Sequence, residues 1–317
     1  TTQFNMTVFD ANVNMLRTQT EAMSATIAGV DSLTVIPYDI AYKTPDEFSE
    51  RIARNQQLLL KEESHFDKVI DPSAGSYYIE TLTKEIAEQA WNIFLNIEDN
   101  GGFFACVKSG MVQEAVKTTA ANRLRDVSSR KEVLLGTNQF PNFTEKAGSK
   151  VQSPESKSAH AGGCSCASVG LETLEPVRGA KEFEALRFAT ENSGKAPKAF
   201  MLTIGNLAMR LARAQFSGNF FACAGYEIID NLGFATVEEG VEAALAANAD
   251  VVVLCSSDDE YAQFAPQAYE LLKNKALLAV AGAPANMEEL KAKGIEHFIH
   301  VRSNVLETLQ EFNDKLI

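Results

Sequence analysis

Three groups of residues carry the chemistry that this sequence could offer. His160-Ala-Gly-Gly-Cys164-Ser-Cys166 sets one imidazole and two thiols within seven residues, donor types that zinc takes. Zinc sites want four ligands, commonly from Cys-x-x-Cys pairs, and no second pair accompanies this one. The segment therefore reads as a linker with exposed thiols, with no metal assigned to it. Asp258-Asp259-Glu260 follows an apolar run and could hold Mg²⁺ at the edge of a sheet. The blander reading puts these acids at the start of the next helix, where negative charge complements the dipole. Gly205 and Gly282 also follow apolar runs and could bring backbone N–H groups to an anion, but no G-x-G-x-x-G or Walker pattern goes with them. His297 and His300 flank a short strand and read as structural.

These groups need elements to position them. Residues 197–317 carry five short apolar runs, Ala199 to Ile204, Tyr226 to Asp230, Asp250 to Cys255, Ala276 to Ala281 and His297 to Val301, starting roughly 20 to 27 residues apart. That is the spacing of repeated βα units. Val251-Val-Val-Leu254 is apolar at every position, as in a parallel strand covered on both faces. Thr236-Val-Glu-Glu239 reads as a capping box. Five such units predict an α/β domain, a flavodoxin-like doubly wound sheet of order 2-1-3-4-5. The helix after the first strand carries Leu207, Leu211, Phe216, Phe220 and Phe221, either as core or as filling for a cavity beside the sheet.

Residues 141–196 read as a linker, with Ser, Gly, Lys and Ala dominating Ala147 to Gly170 and a helical piece near Lys181 to Thr190. Residues 1–140 read as mostly helical. Thr44-Pro-Asp-Glu47 combines an N-cap, a first-turn Pro and a box Glu, opening a helix with Phe48, Ile52 and Leu59. Ile86, Ala90, Trp91, Phe94 and Ile97 mark a second amphipathic helix that Gly101-Gly102 ends. Ser32 to Pro37 reads as the one strand. A single strand among amphipathic helices cannot cover its own edges, so this stretch is expected to be the last portion of a larger α/β unit.

The whole chain has 317 residues, 45% hydrophobic and 22% charged, enough for two domains with real cores. A net charge of −13 repels phosphate backbones and anionic lipid, which argues against nucleic-acid and membrane partners. No apolar run approaches the roughly 20 residues of a membrane span. Five Cys, an odd number at low density, and no basic, apolar leader after Thr1 predict a reducing, cytoplasmic setting; the missing Met suggests a processed fragment.

Several longer motifs then appear in order: Asn14 to Gly29 with Met15-Leu-Arg17-Thr-Gln-Thr-Glu-Ala-Met23 inside it, Arg51-Ile-Ala-Arg-Asn-Gln56, Glu62-Glu63-Ser64, Asp71-Pro-Ser-Ala-Gly-Ser-Tyr-Tyr78, Gly101-Gly102 and Leu135-Gly-Thr-Asn138. In types and spacing this series resembles methylmalonyl-CoA mutase. The resemblance implies a TIM-barrel domain whose last part is residues 1–140, a linker over 141–196, and a cobalamin-binding-type domain over 197–317. It also implies the interconversion of succinyl-CoA and methylmalonyl-CoA with adenosylcobalamin.

The departures set the functional expectation. Family chains that bind cobalamin carry Asp-x-His-x-x-Gly after their first strand, the imidazole being the lower cobalt ligand. Here the strand runs into Gly205-Asn206-Leu-Ala-Met-Arg210, and His65, His160, His297 and His300 all lie elsewhere. The family's Ser-x-Leu reads Ser256-Ser257-Asp258 and its Gly-Gly reads Gly282-Ala283, so Gly205, Asn206, Ser256, Ser257 and Gly282 are degenerate positions of that site. In the barrel part, Gln-Ser-Leu-His-Thr-Asn of catalytic chains stands as Asp31-Ser32-Leu33-Thr34-Val35-Ile36. The resemblance is therefore to the small subunit of the heterodimeric bacterial enzymes: no catalytic residue, no cofactor of its own, and a homologous large subunit that holds the adenosylcobalamin. The alternatives are an active mutase with atypical cofactor binding and a small-molecule sensor on the same folds.

Overall fold

A computed structural model describes residues 1–146 and 172–317. His160, Cys164 and Cys166, with most of the Ser/Gly/Lys-rich stretch, lie outside the described residues. The chain divides into two units, residues 1–125 with 172–179, and residues 126–146 with 180–317. The sequence reading closed its first domain at residue 140 and left 141–196 as linker. Residues 126–146 and the helix after Gly179 group instead with the second unit.

The first unit is helical: α1 Val13–Ile27, α2 Glu47–Glu62, α3 Tyr77–Asp99, α4 Phe103–Ser109 and α5 Met111–Ser128, whose last turn belongs to the second unit. Ser32 to Pro37 forms no strand. Its apolar content suits one, but no strand neighbours it among the described residues, and Val35 and Leu33 instead pack on Ala22, Ala53 and Leu60 between α1 and α2. The cap of α2 also differs from the sequence reading. Asp46, not Thr44, is the N-cap, accepting from the Ser49 N–H at 2.9 Å while Ser49 Oγ accepts from the Asp46 N–H at 3.0 Å. Two overlapping boxes are written in Thr-Pro-Asp-Glu-Phe-Ser, and the helix starts from the second.

Two of the sequence motifs in this unit interlock. Asn14 is buried; its amide donates to the carbonyls of Thr7 and Tyr38 at 2.8 and 2.9 Å, and its Oδ1 accepts from the Thr7 N–H at 3.1 Å. Gln56 Nε2 reaches across from α2 to the Met15 carbonyl at 2.6 Å. Spans whose types match a family over long distances are here joined by side-chain amides, buried at Asn14 and half-buried at Gln56, which have few substitutes of the same shape and polarity.

The second unit is built on α6 Lys181–Asn192 and then β1 Lys198–Thr203, α7 Leu207–Ala222, β2 Glu227–Ile229, α8 Val237–Ala246, β3 Val251–Cys255, α9 Tyr261–Leu272, β4 Leu277–Ala281, α10 Met287–Ala292, β5 His297–Ile299 and α11 Val305–Leu316. All four pairings are parallel and the order is β2-β1-β3-β4-β5, the doubly wound order that the spacing predicts. Alternate side chains of the strands face opposite layers. Phe200, Leu202, Val252, Leu254 and Val280 pack on α8, α9 and Leu290 of α10. On the other face Phe221 of α7 meets Tyr226 and Phe312 of α11 at ring separations of 5.7 and 5.1 Å. Thr236 caps α8, accepting from the Glu239 N–H at 3.3 Å, but the Glu239 carboxylate returns to the Ala235 N–H, one residue short of a full box.

Candidate functional site

In an open parallel sheet, ligands enter at the carboxyl ends of the strands, where neighbouring strands send their crossovers to opposite faces. Here that point lies between β1 and β3. Thr203 and Cys255 pair in register, so the turns Gly205-Asn206 and Ser256-Ser257 lie side by side, the first leading to α7 and the second to α9. The structure thus brings four of the five sequence-derived positions together. Gly282, at the end of β4, completes the same edge.

One carboxylate fills the crevice between the two turns. Glu260 Oε2 accepts from the hydroxyls of Ser256 and Ser257 at 2.5 and 2.7 Å and from the N–H groups of Ser257 and Asn206, both at 3.2 Å. These donors, the Ser256 hydroxyl first, hold the Glu260 carboxyl down at about 2, so it is an anion throughout the neutral range. Gly205 has φ +75°, and a Cβ there would stand 2.6 Å from Glu260 Cδ. A left-handed turn without a side chain is what lets the carboxylate in.

The rest of the edge is also occupied by the chain's own groups. Asp258 pairs with Arg213 of α7 at 3.0 Å, and a Cβ at Gly282 would lie 2.7 Å from Asp258 Oδ1. Arg210 Nη2 donates to the Leu232 carbonyl at 3.1 Å. Beneath them the buried Tyr261 hydroxyl accepts from the Ser256 N–H at 3.0 Å and donates to the Ala281 carbonyl at 2.7 Å, tying the ends of β3 and β4 together.

Sequence reasoning found the acidic run and placed it at the start of a helix, where Glu260 indeed precedes α9. It missed the clamp, although Ser256, Ser257 and Glu260 stand at the three- and four-residue spacing that lets a side chain turn back on the preceding loop. It missed Arg213 altogether. Filling of the crevice by the phenyl rings of α7 is corrected: Phe220 and Phe221 are buried, but at the far end of α7, next to Tyr226 at the start of β2, while Leu207 and Leu211 beside the crevice are exposed.

Other candidate groups are accounted for locally. His297 tilts against Phe312 at 4.7 Å, and His300 Nδ1 accepts from the Arg302 N–H at 3.2 Å. Burial pushes the Cys255 thiol up to about 12 and raises that of Cys223, so neither is a ready nucleophile. Asn138 is a loop staple: its amide donates to the carbonyls of Val127 and Glu132 and its Oδ1 accepts from the Leu134 N–H at 2.8 Å. Among the described residues no three His, Cys, Asp or Glu are grouped to hold a metal ion, and no helix is long and apolar enough to cross a membrane.

Comparison with known proteins adds the family. The model of the methylmalonyl-CoA mutase family matches residues 1–169, more than half of the chain. The chain belongs to the methylmalonyl-CoA mutase family. It is 64% identical over 315 residues to a methylmalonyl-CoA mutase small subunit of Porphyromonas gingivalis, covering 99% of this chain and 50% of that protein. A small subunit from Streptomyces virginiae is 36% identical over 299 residues, 92% of this chain and 46% of its own length. A methylmalonyl-CoA mutase of Cereibacter sphaeroides matches at 43% over 127 residues, 40% of this chain and 18% of that protein. The chain thus spans about half the length of the small subunits it matches.

Proposed function

We propose that this chain acts as part of the small subunit of an adenosylcobalamin-dependent methylmalonyl-CoA mutase, a non-catalytic partner of a homologous large subunit in a cytoplasmic heterodimer. The enzyme is then an isomerase interconverting succinyl-CoA and methylmalonyl-CoA, and the cofactor, which supplies the radical chemistry, stays with the large subunit. The observation that carries the reading is the Glu260 carboxylate seated between the β1 and β3 turns. The residues of this edge do not fit a corrinoid. Asn206 stands in the turn where an axial imidazole is needed, and the chain's own carboxylate already takes the donors of the two turns, leaving them to no second anion. The second unit is in this reading a flavodoxin-like domain of the cobalamin-binding type that has been closed with its own side chains.

Residues 1–140 we read as the last part of a (β/α)₈ barrel. Support comes from α3, none of whose residues is buried although it carries Ile86, Trp91, Ile93 and Phe94; Tyr77 is 91% exposed. A 23-residue helix with that much bare apolar surface needs a covering layer that the described residues do not supply.

Mixing the chain with excess adenosylcobalamin, desalting and recording the visible spectrum tests the proposal. No corrinoid absorbance should follow the protein, and the chain alone should not turn over methylmalonyl-CoA. A stoichiometric bound corrinoid would instead favour an active mutase with atypical binding.

A further inference from the structure

The arrangement around Glu260 is that of an anion and its binding site. Donors from two separate loops converge on one oxygen, and they do so at the switch point of the sheet, where doubly wound folds take their ligands. Two of the four donors are backbone N–H groups fixed by the strand ends, and two are hydroxyls within 2.7 Å. The first turn of α7, which follows Asn206, adds its positive end. Nothing in this set requires that the anion be covalently attached. The carboxylate sits directly over Gly205, since the three nearest atoms that a Cβ there would meet all belong to it.

We propose that the crevice formed by Gly205, Asn206, Ser256 and Ser257 is an oxyanion site with a built-in occupant, and that truncating Glu260 converts it into a site for a free small carboxylate. Ala at position 260 removes Cγ and the carboxylate, the heavy atoms of one acetate ion. The freed donors then face water at a part-buried edge, and four donors converging on one point favour an anion over water as the acceptor. Gln at the same position keeps the volume but points an N–H₂ or a neutral oxygen at the donors, so it leaves no room for acetate. This deepens the reading of the edge as closed to cobalamin: the side chain that closes it does so by standing in for a ligand's anionic group.

The test compares the full chain with E260A and E260Q variants in sodium acetate and in sodium chloride of matched ionic strength. At about 100 mM acetate the melting temperature of E260A should rise by at least ~2 °C more than that of the wild type, and E260Q should follow the wild type. The amide signals of Asn206 and Ser257 should shift saturably with acetate in E260A alone. Inorganic phosphate as a second arm reports whether the crevice takes a tetrahedral anion, with rescue by acetate required in either case. If E260A does not stay folded, its refolding yield must rise with acetate. Equal responses in all three proteins, or an E260A variant that acetate neither stabilises nor refolds, overturn the proposal. Corrinoid bound by the wild type would overturn the functional reading instead, so the two failures are distinguishable.

Discussion

Tyr226 and Asn313 meet inside the second unit, 87 residues apart in sequence, with the Tyr226 hydroxyl donating to Asn313 Oδ1 at 2.7 Å. The Asn313 amide in turn donates to Thr190 Oγ1 at 2.9 Å, so one side chain of α11 joins the start of β2 to α6. Both residues are buried, and burial pushes the Tyr226 hydroxyl well above its ordinary range, leaving it a proton donor under all working conditions. Asn313→Ala strands a buried hydroxyl and removes the link to α6, and should cost about 2 to 3 kcal/mol of stability. Tyr226→Phe, which removes only the donor, should cost about 1 kcal/mol. Urea unfolding of the two variants checks the order; an Asn313→Ala protein as stable as Tyr226→Phe would show that the α6 link carries no weight.

Gly205 and Gly194 offer a comparison that separates backbone strain from crowding. Both have positive φ, +75° and +72°, but a Cβ on Gly194 meets nothing within 4 Å whereas one on Gly205 meets the Glu260 carboxylate. Gly194→Ala should therefore show the conformational penalty alone, about 1 kcal/mol. Gly205→Ala should lose more, and adding Glu260→Ala should return the excess. A double-mutant cycle reads this directly, and additive losses would mean that the methyl group and the carboxylate do not compete.

How much of this was legible beforehand depended on the range of the interaction. The five strands were readable because Val251-Val-Val-Leu254 and its neighbours are apolar runs whose period and length are local properties. The strand expected at Ser32 to Pro37 failed because a strand is defined by its partner, and the sequence of Leu33 and Val35 is equally suited to packing on Ala22 and Ala53. Half of the crevice was visible: Ser256, Ser257 and Glu260 sit within five residues. The contribution of Asn206 was not, because it depends on β1 lying next to β3. Arg213 and Asp258 are 45 residues apart and pair only because α7 and the β3–α9 turn rise from the same edge.

His297 should make stability fall in mild acid. Burial first, and then the Lys315 ammonium at 3.0 Å, lower its affinity for a proton below the ordinary value of 6.5, with Glu296 and Glu311 opposing. The folded state thus binds this proton less readily than the unfolded chain. Its contribution is fully present above pH 6.5 and is lost as pH falls through the folded-state value. His297→Phe keeps an aromatic ring against Phe312 and removes the titration. In thermal melts between about pH 7.5 and 5 the wild type should lose stability relative to His297→Phe as pH falls; parallel curves would remove His297 from the pH response.

Glu260 governs a second, more acidic limb. Its carboxyl is held at about 2 in the folded protein by the Ser256 and Ser257 hydroxyls, against an ordinary value of 4.5. A folded-state value below the unfolded one means that the unfolded chain takes up the proton first. The clamp's contribution is therefore complete above pH 4.5 and declines as pH falls toward 2. Glu260→Gln has no such proton to bind. It should be less stable than the wild type at neutral pH, because a neutral amide accepts more weakly from four donors and presents two N–H groups of its own. The difference should shrink steadily between pH 4.5 and 2, since protonation turns the wild-type side chain into a neutral carboxylic acid with the same shortage of acceptor strength. Asp46 titrates over the same range in the first unit, held at about 2 by Lys43, but it is unchanged in the variant and cancels in the comparison. Unfolding midpoints in urea for both proteins across this range decide the matter. A gap that stays constant with pH would place the Glu260 effect in packing, and would remove the charge from the account of how the crevice is closed.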